Sequence, residues 1–225
     1  MKPTFVWFIL ACFLIPSCNS VTPTSPTEQL TVGYSAATTP WLVNLYDCAG
    51  ANVIHAEQTA ADFIDLQSVD MAIRIGQSAY LTSHPFQIGS DELLVIVNPR
   101  NLIHTLTVEQ VHGIFTGQIL NWQELDGSNS PVQVWVYSSG EDVEQIFEQS
   151  TLGGSPVTST ARLAVGPDEM AQAVAGDVNA VGILTRSWKT GNVSDVYTIG
   201  TIPVLALTMD APQGEVKNNI SCLQK

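Results

Sequence analysis

Apolar positions along the chain follow two spacings, one near 2 residues and one near 3.6, in alternating blocks. Gln29–Gly33 is a short β-branched run that predicts a strand, followed by a turn of small and hydroxyl residues ending at Pro40. Over Trp41–Ala49 the residues Trp41, Leu42, Leu45 and Tyr46 fall on one helical face, and Pro40 suits a first turn. Residues 51–56 predict a second strand, Thr59–Gln67 a helix carrying Phe63, Ile64 and Leu66, and Val69–Ile75 a third strand. Gln87–Asn98 holds a continuous apolar run, the pattern of a strand buried on both faces. Asn98-Pro99-Arg100-Asn101 interrupts the pattern. Beyond it, Thr107–Phe115 reads as an amphipathic helix opened by Thr-Val-Glu, Asn121–Leu125 as a short turn or helix, and Val132–Tyr137 as an alternating strand. A helix is expected over Ser139–Gln149, with Val143, Ile146 and Phe147 on one face. Then follow a strand at 162–165, a helix at 167–175, a strand at 180–184, two apolar β segments at 196–199 and 203–207, and a closing helix at 213–223. Strands alternating with helices predict an α/β domain with a parallel sheet.

The N-terminus changes the picture of where this domain works. Lys2 precedes an uncharged apolar run from Phe5 to Ile15, the length of a signal-peptide core and short of the roughly 20 residues that cross a bilayer. Ile15-Pro16-Ser17-Cys18 resembles a bacterial lipobox, in which the cysteine is acylated; the alternative is an ordinary signal peptide that happens to end near a cysteine. Residues 1–17 are therefore expected to be a signal peptide. Residues 18–28, rich in Ser, Thr and Pro, are expected to be a tether with too little apolar surface to fold. The expected location is the outer face of the cytoplasmic membrane, at the cell surface or in the periplasm, held by several acyl chains at about 0.8 kcal/mol per buried methylene.

The formal net charge is −13, from 8 Lys and Arg against 21 Asp and Glu. Such a surface repels nucleic acid and anionic headgroups, which need a basic footprint. With Cys12 in the signal peptide and Cys18 at the lipid, Cys48 and Cys222 remain. An oxidising compartment permits one bridge between them, tying the first helix to the last; two buried thiols are the alternative. No Gly-x-Ser-x-Gly, Walker loop or His-Glu-x-x-His occurs, and the four histidines lack ligand spacing, so neither an enzyme nor a metal or other cofactor is expected.

Leu106–Val136 reads LTVEQVHGIFTGQILNWQELDGSNSPVQVWV. This stretch resembles the second-lobe signature of phosphate-type substrate-binding proteins of ABC transporters. It follows a strand ending Val97-Asn98-Pro99, as in that family. Further similarity lies in Ser35–Pro40, Val69–Arg74, Ser138-Ser139-Gly140 and Ala180–Ile183. The resemblance implies an α/β, two-lobed periplasmic-binding-protein-like (type 2) clamshell with mixed, mainly parallel sheets. One lobe would take residues 29–98 and 185–225 and the other 99–184, with a hinge near Val97-Asn98 and Leu184-Thr185. It implies a monomer that passes a small ligand, an oxyanion, to a membrane permease; the alternative is a clamshell kept as a sensor or scaffold. Trp122 and Trp135 read as packing that identifies the family, not the site.

In open α/β sheets ligands sit beyond the carboxyl ends of strands, where backbone N–H groups converge. Three turns qualify here. The first resembles the family's Ala-Thr-x-Pro loop and carries the ligand role over to Thr38 and Thr39. The second contains Thr59, and the third is Ser138-Ser139-Gly140. Arg74, at the end of the third strand, could supply a cation. Each of these has an ordinary alternative in helix capping or a solvated strand end. Two features depart from the family: Tyr137 precedes the third turn, and Glu141-Asp142 follow it. Ser139 and Asp142 are expected to form a capping box, turning both carboxylates outward; the other possibility is that they face the cleft and accept hydrogen bonds from a protonated oxyanion or an amine. The anchor is testable by detergent partitioning: the exported wild type should enter the detergent phase and Cys18→Ser the aqueous phase. A wild type already in the aqueous phase refutes the lipobox.

Overall fold

The computed structural model describes residues 29–76 and 83–225; the expected signal peptide, Cys18 and the tether lie outside them. Eight strands form a single sheet: β1 (Gln29–Tyr34), β2 (Val53–Gln58), β3 (Met71–Ile75), β4 (His84–Val97), β5 (Gln133–Val136), β6 (Arg162–Leu163), β7 (Ala180–Thr185) and β8 (Ser194–Thr208). Their order across the sheet is β2-β1-β3-β8-β4-β7-β5-β6. The flanking strands pair in parallel, β1 with β2 and β3, and β5 with β6 and β7. The centre is antiparallel, β8 lying between β3 and β4, and β4 between β8 and β7. The sheet is thus mixed, where the alternation of elements alone predicted a parallel one.

Long central strands explain the difference. The two β segments expected at 196–199 and 203–207 are one strand, β8, which pairs with β4 from His84↔Thr208 to Val97↔Ser194 through three register shifts. Pro203, which cannot donate to a ladder, stands opposite Ser90 just outside the part of β8 that β3 covers. Leu93 to Val97, the continuous apolar run, are all fully buried.

Among the described residues five helices flank the sheet: α1 (Leu42–Cys48), α2 (Val108–Phe115), α3 (Asp142–Phe147), α4 (Pro167–Gly176) and α5 (Gly214–Leu223). Helix α2 begins where Thr107 and Gln110 satisfy each other's backbone amides, and it buries Val111, Ile114 and Phe115. Phe115 meets Phe147 of α3 edge to face, with centroids 4.6 Å apart. Trp122 is buried in a short 3₁₀ turn, its indole N–H donating to the Asn179 carbonyl at 3.0 Å, so it packs the core as expected. Trp135 is only partly buried and carries the Arg162 guanidinium 5.6 Å above its ring.

Two expected helices differ. Over Thr59–Gln67 only Ala61–Phe63 forms a 3₁₀ turn. Ile64 leaves it with an extended backbone, and the Asp65 carboxylate accepts from the Gln67 amide, a local bond that competes with helix. Ile64 and Leu66, two apart, then face the same small cluster while Phe63 stays exposed. The helix expected from Ser139 starts at Asp142 and passes into a π-turn at Glu148–Leu152.

Cys48 of α1 and Cys222 of α5 are joined, a loop of sequence separation 174. In the chain-entropy model such a closure stabilises by about 5 kcal/mol. Intact mass and thiol labelling of the unfolded, unreduced protein should find no free thiol at these positions, and Cys48→Ser with Cys222→Ser should lower Tm strongly; stoichiometric labelling of both would exclude the bridge.

Candidate functional site

The turns after β1, β2 and β5 meet the end of β3 at one seam. After β1, the Ser35 amide donates to the Ile73 carbonyl at 3.1 Å. The Thr38 hydroxyl, fully buried, bonds the carbonyls of Ser35 (2.9 Å) and Ile73 (3.1 Å), and its amide also donates to Ser35. The Thr39 hydroxyl donates to the Ala36 carbonyl at 2.9 Å. Both hydroxyls therefore brace their own turn. Thr59 continues the β2 side, its amide donating to the Tyr34 carbonyl.

Arg74 of β3 is 2 % exposed. One of its terminal nitrogens reaches the Ala61 carbonyl at 3.5 Å, and its Nε has no partner. Among the described residues it forms no direct ion pair, although Asp142, Asp62 and Glu141 all act on it. Burial lowers its pKa against the pull of those three carboxylates.

The third turn comes from the opposite half of the sheet. Ser138 and Ser139 are exposed, and their carbonyls accept from the Glu141 amide and the Gln145 side chain. The Gly140 carbonyl accepts from the Asp62 amide at 3.1 Å, and Gln145 Nε2 donates to the Asp62 carboxylate at 2.7 Å, so two bonds cross the seam here. Gly76 (φ +65°) lets Ile146 approach from the same side, since a Cβ there would lie 2.8 Å from its Cδ1.

Asp142 does not turn outward, and the Ser139–Asp142 capping box is not made. Helix α3 has Glu141 at its N-cap with no side-chain cap. The Asp142 carboxylate is fully buried and points across the seam, where Oδ2 accepts from the Ile75 amide at 2.8 Å and Oδ1 from the amide of Val143 at 2.9 Å. The Ser35 hydroxyl, also fully buried, faces this carboxylate without a well-formed hydrogen bond. Burial raises the Asp142 pKa, opposed by Ser35, the Ile75 amide and Arg74. Burial, then repulsion from Asp142 and Asp62, pushes Glu141 up to about 7. What remains open between Ala36-Ala37 and the group Tyr137, Glu141, Val143, Gly166 and Pro167 is a cavity of about 10 Å³, roughly the room one water needs.

Sequence reasoning thus placed Thr38, Thr39, Arg74 and the 138–140 turn in one region. It missed Ser35, Asp62 and Gln145. A serine before a 3₁₀ turn and an acid in a polar stretch carry no signal of a partner on the far side of the sheet. Among the described residues no group of three or more His, Cys, Asp or Glu side chains is placed to hold a metal ion. Glu144, one helical turn from Glu141, orients the 138–141 segment from behind. Its Oε2 accepts from the Tyr137 amide at 2.8 Å, while Oε1 is buried without a partner. Burial pushes Glu144 up to about 8.

A family model described as the PBP superfamily domain matches residues 76–220. No curated protein matches the chain. Among solved structures, the chain is similar to a phosphate ABC transporter substrate-binding protein with bound phosphate from Clostridium perfringens, at 19% identity and a TM-score of 0.78, covering 87% of this chain and 93% of that one. It is also similar to an ABC-type phosphate transport receptor from Vibrio cholerae, at 21% identity and a TM-score of 0.69, again over 87% and 93%. The Synechocystis CcmR regulatory domain in complex with 2-PG shares 13% identity at a TM-score of 0.62, over 88% of this chain and 96% of that one. At these identities the shared property is the fold, a two-lobed clamshell.

The raised pKa of Glu144 fixes the sign of a pH effect. Between its ordinary value of 4.5 and its folded value of about 8, the native state keeps a proton that the unfolded chain has released. Its contribution is full at the acid end of that window and is lost as pH rises through it, by an amount on the order of a few kcal/mol. Tm should fall from the acid to the alkaline end, and Glu144→Gln should flatten the slope. Equal slopes in the two proteins would contradict the assignment.

Proposed function

The chain belongs to the PBP superfamily, and we propose that it is an exported solute-binding protein that holds a small oxyanion between two lobes and presents it to the permease of an ABC importer. The observation that carries the reading is the buried Arg74 guanidinium, its Nε unpartnered, at a seam where the turns after β1, β2 and β5 meet the end of β3. A cation buried without a direct counter-charge is costly, and a bound anion repays that cost. The two similar phosphate-transport structures support the same ligand class, with phosphate foremost. On this reading Thr38, Thr39, Thr59, Arg74, Ser138, Ser139 and Gly140 surround the ligand, the threonines of the first turn by shaping it. The lobes are residues 29–98 with 185–225 and residues 99–184, closing about the strands that pass between them. The protein acts as a monomer, without catalysis, tethered by acylated Cys18 at the outer face of the membrane.

A second reading, a clamshell retained as a sensor or scaffold, is favoured by one observation: the seam is closed around the protein's own Asp142. The similarity to a regulatory domain is compatible with it. Thermal shifts with phosphate, sulfate, molybdate and small organic acids separate the two. A ligand at 100 times its Kd stabilises by about 2.7 kcal/mol, a shift of several degrees for a domain of this size. A shift with one of the oxyanions is expected, and flat melts with all of them would leave the second reading.

A further inference from the structure

Resting on the reading of the seam as an anion cleft, and going beyond it, we propose that Asp142 is an intramolecular ligand whose carboxylate occupies the anion seat between Ser35, Arg74 and the Ile75 amide and holds the lobes closed in the absence of solute. Strand pairing explains how the seat arises. β1 ends at Tyr34, opposite Ile73, so β3 runs on beyond its neighbour. The Ile75 amide is left without a strand partner on that side, and an unpaired buried N–H demands an acceptor. Asp142 supplies it from the other half of the sheet. Its second oxygen takes the Val143 amide at the start of α3.

The cost of putting it there is informative. A carboxylate in the first turn of a helix is ordinarily left in water, where the helix amides already favour it. Here it is fully buried, which costs several kcal/mol unless donors and a counter-charge replace its hydration. The site provides a strand amide, a helix amide and a buried guanidinium nearby, the set that would stabilise a solute anion.

The leftovers argue that the carboxylate is a substitute occupant. Ser35 Oγ and Arg74 Nε are buried and lack partners. A carboxylate has two oxygens, each already holding an amide; a tetrahedral oxyanion has four and could make with Ser35 and Arg74 the well-formed bonds that Asp142 does not. Asp142 thus makes enough bonds to close the lobes and too few to satisfy the seat. A solute anion must displace it and must also tolerate Asp62 and Glu141, so the cleft discriminates against fully ionised dianions.

Small-angle scattering and calorimetry on the full exported chain test this, with inorganic phosphate as the probe. Unliganded wild type should be compact, with a radius of gyration that phosphate does not change. Asp142→Ser should be expanded without phosphate and contract when it is added, and should bind phosphate at least tenfold more tightly than wild type. A wild type that is expanded until phosphate arrives, or a serine variant as compact as wild type, overturns the proposal. So does equal phosphate affinity in the two proteins. If neither binds phosphate, the oxyanion reading of the cleft fails, and scattering alone still decides whether Asp142 closes the lobes. Should the serine variant not fold, Asp142→Ala carries the same measurements, because it too removes both the acceptor for Ile75 and the charge.

Discussion

β4 and β8 run antiparallel through the middle of the sheet, and every other strand is attached to one of them directly or through its neighbours. β3 is bonded to β8 near one end of the ribbon, at Val204 to Leu207, and β7 to β4 near the other, at Leu93 to Val97. The two halves of the sheet therefore share a single pair of strands. Relative movement of the halves has to bend or twist that pair. Its three register shifts, between Gln87 and Gly89, Leu93 and Leu94, and Val95 and Ile96, mark where the ladder is already irregular. Gly89 is also where the outer edge of the Trp41 indole meets the ribbon, at a point where a Cβ would sit 2.3 Å from it.

This geometry decides which side chains can meet. Arg74 lies on β3, whose register against β8 is set by Arg74↔Leu205, and Asp142 follows β5 on the far side of the ribbon. The two are brought to one seam because β3 and β5 run toward each other from opposite ends of the ribbon and both end near its middle. Among the described residues the hydrogen bonds that join the Asp142 segment to the β3 side run from the Ile75 amide to Asp142, from the Asp62 amide to Gly140, and from Gln145 to Asp62. Each hydrogen bond is worth about 1 kcal/mol net. Bonds of this size are small enough that another arrangement of the same groups can replace them at a cost of a few kcal/mol.

What was legible in the sequence had local causes. Thr107 with Gln110 and Asn121 with Glu124 cap their turns through neighbours three residues away, so the residues of the second-lobe stretch suffice on their own to mark helix and turn. The apolar run Leu93–Val97 announced a strand buried on both faces, and Cys48 and Cys222 were the pair left after the N-terminal cysteines were assigned. What was not legible depended on partners far along the chain. Asp142, three residues after Ser139, matches a capping box by local rules, yet its acceptor role is fixed by Ile75, 67 positions away. Thr59–Gln67 has apolar residues that satisfy a helical spacing and equally a spacing of two. The Asp65 turn and the pocket formed by Ala72, Leu205 and Leu207 decided between them. The antiparallel centre was hidden for the same reason, since Gly200 and Pro203 inside β8 look like breaks until β4 is laid beside them.

The acidity of the whole molecule and that of the seam act over different ranges. A net charge of −13 repels an approaching anion at low ionic strength, but at physiological salt this field is screened within about 8 Å. What an ion meets inside that distance is the local set: Arg74 against Asp62, Glu141 and Asp142. Were all three carboxylates ionised, the seam would be net negative and no anion would enter. Burial pushes Glu141 up to about 7 and raises Asp142 as well, and Asp142 can leave only by breaking its bond to Ile75. The local charge at this site therefore depends on the protonation of Glu141 and on the bond that holds Asp142. That local balance acts at shorter range than the bulk charge, and it lies in the short segment from Gly140 to Asp142, where the chain departs from the family it otherwise resembles.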